Sequence, residues 1–327
     1  MSFEPASLAL PPLPSAQPPA RFQEVPLQQA QLPGTQPLPA AQEHMPLPSE
    51  PAFWSSNDAL PCDAVSVLGP CDTVPDGRLL PFANLAVKAG NRRVIGEARG
   101  FFPLWQDPGN LLYLDTRVRL DDHDAGDFNL GLGYRTLITP EWIFGSLIYY
   151  DLLASAQENV FHQATLGVEL LSLKWDFRIN GHFPQSGGAS AAAATGISNG
   201  TIITNANIER AYAGFDAELG RRLLHWGWND RFEIRWYAGG YYFNHTASGF
   251  DGFGGPKARM EFRIYDLPVF GEQSRLVLGA ETSWDTMRNE QFAGFLRVRI
   301  PLGRRSGRDR IDPLRRRMLD LPVRDVD

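Results

Sequence analysis

The sequence predicts an all-β protein, a transmembrane antiparallel β-barrel of about twelve strands preceded by a Pro-rich disordered segment. Three observations carry that expectation. Apolar and polar residues alternate with period two from about Phe82 to Leu302, and in a strand such alternation makes one face apolar and the other polar. Most alternating segments reach the roughly 9–11 residues that a tilted strand needs to cross a bilayer, beyond the usual globular length of about 5–6. No run approaches the roughly 18 uncharged apolar residues of a membrane-spanning helix, which excludes a helical membrane protein.

Composition narrows the rest. Of 327 residues, 43% are hydrophobic and 21% charged, so the chain can present a large apolar surface and is not disordered throughout. A net charge of −6 gives no reason to expect nucleic acid as a partner. Only Lys88, Lys174 and Lys257 are lysines, so nearly all positive charge is arginine.

Residues 1–50 hold 12 of the 26 prolines, with few charges between them. Proline fixes φ and lacks an amide donor, so 1–55 reads as an extended or disordered linker. Its opening shows no basic start followed by an apolar run of about 7–15 residues, the pattern of a secretory signal. Residues 56–80 form a pre-barrel segment with Cys62 and Cys71, which enclose eight residues. A disulfide there would fit an oxidising periplasm, and two independent thiols are the other reading.

The barrel is expected over 81–302, with strands at roughly 82–89, 96–104, 111–120, 127–137, 141–151, 161–171, 173–183, 208–220, 231–244, 256–266, 273–284 and 290–301. In the third, Leu112, Leu114, Val118 and Leu120 oppose Tyr113, Asp115, Arg117 and Arg119. Phe262 and Ile264 oppose Arg259, Glu261 and Arg263 in the same way. The long link Gln185–Asn207, rich in Gly, Ala, Ser and Thr, reads as a solvent-exposed loop. A soluble β-sandwich would also alternate, so strand length and aromatic placement decide. Trp142, Tyr150, Trp226, Trp228, Tyr242, Phe243 and Trp284 lie near strand ends, as in the aromatic girdles of outer-membrane barrels.

Three stretches carry a family resemblance: NLGLGYRTLITPEWIFGSLIYYD, FHQATLGVELLSLKWDFRINGHFP and ERAYAGFDAELG. They resemble the β-domain of inverse autotransporters, the intimin and invasin type. The matching positions are Asn129, Gly131, Gly133, Tyr134, Arg135, Gly145, Tyr150, Asp151, Gly167, Glu169, Arg178, Asn180, Pro184, Gly214, Phe215 and Asp216. VIGEARGFFPLWQDPGNLLYLD is similar to the family's opening strands and LRVRIPLG to its closing strand. The resemblance implies an outer-membrane translocator and anchor that exports a C-terminal passenger for display in adhesion. It also implies outer-membrane lipid, a barrel-assembly machinery and periplasmic chaperones as partners. The family's passenger domains are not visible in the 25 residues after Leu302, so neither passenger nor host ligand can be named. A stand-alone porin-like barrel and a soluble binding module remain the alternatives.

The candidate pore-lining residues are those of the polar parity: Asn129, Arg135, Glu169, Asp176, Arg178, Asn180, Asp216, Glu218, Glu233, Arg235, Arg259, Glu261, Arg263 and Glu281. Opposite charges on adjacent strands brace a polar interior, and the same surface would let an unfolded chain pass without sticking. Glycines of that parity, such as Gly131, Gly133 and Gly279, would relieve strain in a tilted sheet or leave width for a polypeptide. No catalytic, metal or cofactor site is expected. The six histidines show no HExxH spacing, Gly131-Leu-Gly133 lies inside a strand and lacks a third glycine, and no G-x-S-x-G elbow occurs. The Arg-rich tail, 303–327, reads either as a solvated charge run or, by the resemblance, as a linker threading the pore.

Overall fold

A computed structural model describes residues 77–192, 195–199, 201–303 and 311–324; Cys62, Cys71 and the Pro-rich stretch lie outside them. The chain forms β1 (Phe82–Gly90), β2 (Val94–Gln106), β3 (Asn110–Asp121), β4 (Gly126–Thr139), β5 (Trp142–Ala154), β6 (Val160–Ser172) and β7 (Trp175–Pro184). Short strands follow: β8 (Ala189–Ser190), β9 (Thr195–Asn199), β10 (Ile202–Asn205) and β11 (Ile208–Ala211). Five long ones complete the order: β12 (Ala213–Trp226), β13 (Phe232–Asn244), β14 (Phe253–Tyr265), β15 (Arg275–Asp285) and β16 (Asn289–Pro301).

Twelve of these strands, β1–β7 and β12–β16, pair antiparallel with their neighbours in a closed barrel. Closure is made by β1 against β16, in register from Phe82↔Pro301 to Gly90↔Ala293. It leaves no barrel strand with an unpaired edge, the condition a sheet must meet in hydrocarbon, where no water can satisfy backbone amides.

The side-chain partition follows the alternation. Leu130, Leu132, Phe177, Ile179, Met260 and Leu278 stand exposed on the outside. Arg117, Arg135, Asp176, Arg235, Glu261 and Arg299 are buried within. Trp226, Trp228, Tyr242, Trp284 and Tyr150 are exposed near strand ends. Phe243 departs from that expectation: it points inward, fully buried against Phe253 at 5.6 Å. Lumen glycines have a specific use. A Cβ on Gly131 would lie 2.1 Å from the Tyr149 ring, one on Gly133 2.2 Å from Tyr113 and one on Gly279 2.2 Å from Phe295. These glycines seat aromatic rings from adjacent strands rather than widening a conduit.

The largest departure from the sequence reading is at 185–211. The stretch expected to be an exposed loop contains a four-stranded sheet ordered β8-β11-β10-β9, and the strand expected from 208 begins only at Ala213. Ile203 packs with Tyr212, Phe243, Phe250 and Phe253, and Ile202 with Leu153 and Phe161, so the sheet covers part of one barrel mouth. Glu209, fully buried, accepts hydrogen bonds from Ser155 Oγ (2.6 Å) and Asn159 Nδ2 (2.9 Å), pinning the sheet to the β5–β6 turn. The small, polar composition hid it, because strands this short are specified by what they cover.

The face assignment gives a direct expectation. Phe177, 44% exposed between Leu170 and Leu219, belongs to the apolar outer face. Phe177→Arg should destabilise the barrel in lipid by about 2–4 kcal/mol, read by urea unfolding in vesicles. A replacement at exposed Arg221 should leave stability within about 0.5 kcal/mol.

Candidate functional site

The lumen is the candidate site, and its walls come first. Thirteen of the fourteen polar-parity candidates are buried, while Glu281 is half-buried and pairs with Lys88. Because a buried charge needs a partner, the wall forms connected sets. Asp176 meets Arg235 (3.3 Å), Arg178 (3.6 Å) and the Tyr237 hydroxyl (3.0 Å). Glu169 accepts from Arg135 Nε at 2.6 Å. Glu218 joins Arg178 (3.3 Å) to Arg259 (2.7 Å). Arg263 bridges Glu261 (2.6 Å) and Glu233 (3.3 Å). Asn129 accepts from Arg117 (2.6 Å) and donates to Asp151 (2.8 Å), and Asp216 gathers Asn180, His182 and Lys257.

Into this interior runs the segment Ile311–Arg324. It enters at the near end, where β1 begins and β16 finishes. Asp312 Oδ1 accepts from the amides of Leu314 (2.8 Å) and Arg315 (3.2 Å), and Pro313 sits in the first turn. That cap starts the one-turn helix α1 (Pro313–Arg316), which tightens into a 3-10 turn at Arg317–Leu319. The chain then extends from Asp320 onward.

Two kinds of contact hold it. Ile311, Leu314, Met318, Leu319 and Leu321 pack on Phe82, Phe101, Leu111, Tyr113, Ile143 and Leu171, an apolar layer on the lumen face. Beyond that layer the contacts are ionic. Arg317 pairs with Asp176, and Asp320 with Arg275, Arg263 (3.2 Å) and Arg317 (3.2 Å). Arg324 pairs with Asp151 at 2.7 Å and lies over the Tyr149 ring at 3.8 Å. Wall side chains also donate to the segment's backbone: Arg135 to Met318 O (2.5 Å), Arg299 to Leu319 O (2.5 Å) and Asn180 to Val323 O (2.9 Å). Such contacts ask for a carbonyl at a position rather than a particular side chain.

The β12–β13 turn guards the entry. Asn229 and Asp230 adopt positive φ (55° and 50°), a region Asn and Asp enter at least cost, and their carbonyls accept from Arg316 at 3.3 and 3.1 Å. Burial alone would raise the Asp230 carboxyl, but hydrogen bonds from Arg222 and His225 hold it below the ordinary carboxylate range. Arg316 stacks over Tyr265 at 3.7 Å.

Sequence reasoning missed the apolar layer and several charges. Asp115, which takes Arg99 (2.7 Å) and the Tyr149 hydroxyl (2.7 Å), belongs to the polar parity of β3. The signal for the apolar layer was a break in parity: Phe101, Leu111, Ile143 and Leu171 are large and apolar at inward positions, all toward the near end. Among the described residues no His/Cys/Asp/Glu group could hold a metal.

The inverse autotransporter β-domain family profile matches residues 82–228, from β1 through β12. No curated protein matches the chain. Among solved structures, a membrane protein from work on in-meso crystallization is similar over 76% of this chain and 97% of its own, with TM-score 0.55 and 17% identity. The COG4313 outer membrane channel from Pseudomonas putida F1 is similar over 71% of this chain and 99% of its own, with TM-score 0.50 and 11% identity. At these identities the likeness concerns the barrel fold alone.

Replacing Asp320 by Asn should loosen the segment while sparing the barrel. It leaves Arg263, Arg275 and Arg317 facing one another without their common anion, a loss of roughly 3–5 kcal/mol for a buried pair. Hydrogen exchange at Leu319–Leu321 should quicken by about two to three orders of magnitude, with exchange in β4–β6 unchanged.

Proposed function

We propose that this inverse autotransporter-type barrel is an outer-membrane translocator and anchor that exports a C-terminal passenger through its lumen. The observation that carries the reading is the course of Ile311–Arg324, which runs inside the barrel from the near end to Asp151, close to the far end of β5. Outer-membrane barrels place short turns in the periplasm and longer loops outside. Here β4–β5 and β6–β7 join at the near end through pairs of residues, whereas the far end carries the sheet-bearing connection between β7 and β12. The near end is therefore periplasmic in this reading, and the segment points from periplasm to surface.

The mechanism needs no reaction. Alternating charges keep the interior wetted and offer a passing chain side-chain donors for its carbonyls. Once export ends, Arg317, Asp320 and Arg324 settle on wall partners while the apolar layer closes around Met318 and Leu319. The barrel then serves as a sealed anchor. Assembly machinery and chaperones of the periplasm would act before that state, on the unfolded chain.

The test fuses an immunoglobulin-like reporter after Asp327, behind a supplied export signal, and asks for protease-sensitive reporter on intact cells. Surface display that is lost on deleting 311–324 is the expected result. A folded barrel that leaves its reporter in the periplasm would refute translocation. In planar bilayers, conductance should be low for the full chain and rise when 303–327 is removed; equal conductance would leave a plain channel or anchor.

A further inference from the structure

The segment does not fill the whole lumen. Beside it, against β1, β2 and β14–β16, remains a cavity with about 1220 Å³ of unfilled space, part of it continuous with solvent. Its floor is the segment itself, at Leu321, Pro322 and Val323. Its upper rim is at the far end, at the Asn91–Arg93 turn and the facing ends of β15 and β16. Eight lining side chains are Lys or Arg, against three Glu and no Asp.

Pairing reduces this excess but does not remove it. Lys257 is answered by Asp216 (2.7 Å), Arg119 by Asp127 (2.6 Å), Arg259 by Glu218 (2.7 Å), Arg93 by Asp121 (3.2 Å), Arg99 by Asp115 (2.7 Å) and Lys88 by Glu281, which leaves Arg92 and Arg297. Arg92 donates to a neutral acceptor, the Arg288 carbonyl, at 2.7 Å. Arg297 stands apart. Its Nε is buried with no hydrogen-bond partner among the described residues, its guanidinium lies over the Phe295 ring, 5.4 Å from the centroid, and Glu97 and Glu261 act on it only through space. A guanidinium lining a recess, with an unpartnered Nε–H and no carboxylate in hydrogen-bond contact, can take an oxyanion by forked hydrogen bonds.

We infer that this cavity is a binding vestibule for small oxyanions of the phosphate class, with Arg297 as the anchoring donor and Arg92 at the rim. The site opens at the far end and is closed below by Leu321–Val323, so it is a pocket and not a through-channel while the segment is in place. It is independent of passenger export and would exist on an anchor that has finished secreting.

Calorimetric titration of the full chain in detergent with sodium pyrophosphate tests this. One binding event is expected, weakening with added salt. Arg297→Gln should lower the affinity by about ten-fold, the weight of one charge-assisted hydrogen bond, and Arg297→Lys should recover part of it. Arg92→Gln, on a turn outside the strands, should weaken binding without touching the barrel, and Arg221→Gln, on the outer face, should change nothing. Absence of binding to the folded full chain, or affinity unaltered in both the Arg297→Gln and Arg92→Gln proteins, would overturn the assignment.

Discussion

Backbone hydrogen bonding in hydrocarbon governs this structure before any side chain does. An amide in lipid has no water to fall back on, so a sheet there must close, and here β1 and β16 close it. Closure with period-two alternation sends every second side chain into one confined space. The outward set can be uniformly apolar, but the inward set cannot be uniformly charged of one sign or left unpaired. The rest of the protein answers that second requirement.

Most inward charges answer one another across adjacent strands, as Arg135 does Glu169 and Arg119 does Asp127. Some need more. Arg275 and Arg263 converge with Arg299 nearby, and the carboxylate that joins the first two comes from Asp320 of the C-terminal segment, while Arg299 binds the adjoining Leu319 carbonyl. The reverse holds at Asp176, which takes Arg317 in addition to its wall partners. Wall and segment thus complete each other's ion pairs, which makes the segment a part of the folded interior. Its apolar half works by a different force: Met318 and Leu319 are fully buried against rings and aliphatic chains, where burial of apolar area favours docking without directional demands.

This division suits the proposed role. Contacts to backbone carbonyls and an apolar collar tolerate many sequences, whereas the pairs at Asp176, Asp320 and Asp151 specify one. A chain could slide past the first kind and stop at the second. The far mouth is treated unequally: a small sheet covers the side above β5–β7 and β13–β14, and the side above β1, β2 and β16 keeps the cationic cavity open.

The barrel was legible in the sequence because strand alternation is a local property. Twelve strands, their parity and the inward placement of Asp176, Arg235 or Glu261 follow from the order of residues alone, and the family match over 82–228 agrees with motifs such as Gly131-Leu-Gly133-Tyr134-Arg135. Contacts between segments distant in the chain were not legible. Nothing near Ile202 or Glu209 announces that they cover a barrel mouth, and Arg317 and Asp176 meet across 141 positions of sequence. Glycines at 131, 133 and 279 read as open width until the rings of Tyr149, Tyr113 and Phe295 were found lying against them. Sequence decides which way each side chain points, because that depends on the residue and its immediate neighbours. Tertiary structure decides what it meets there, because partners in a closed lumen are set by the circumference of the barrel and by whatever chain enters it.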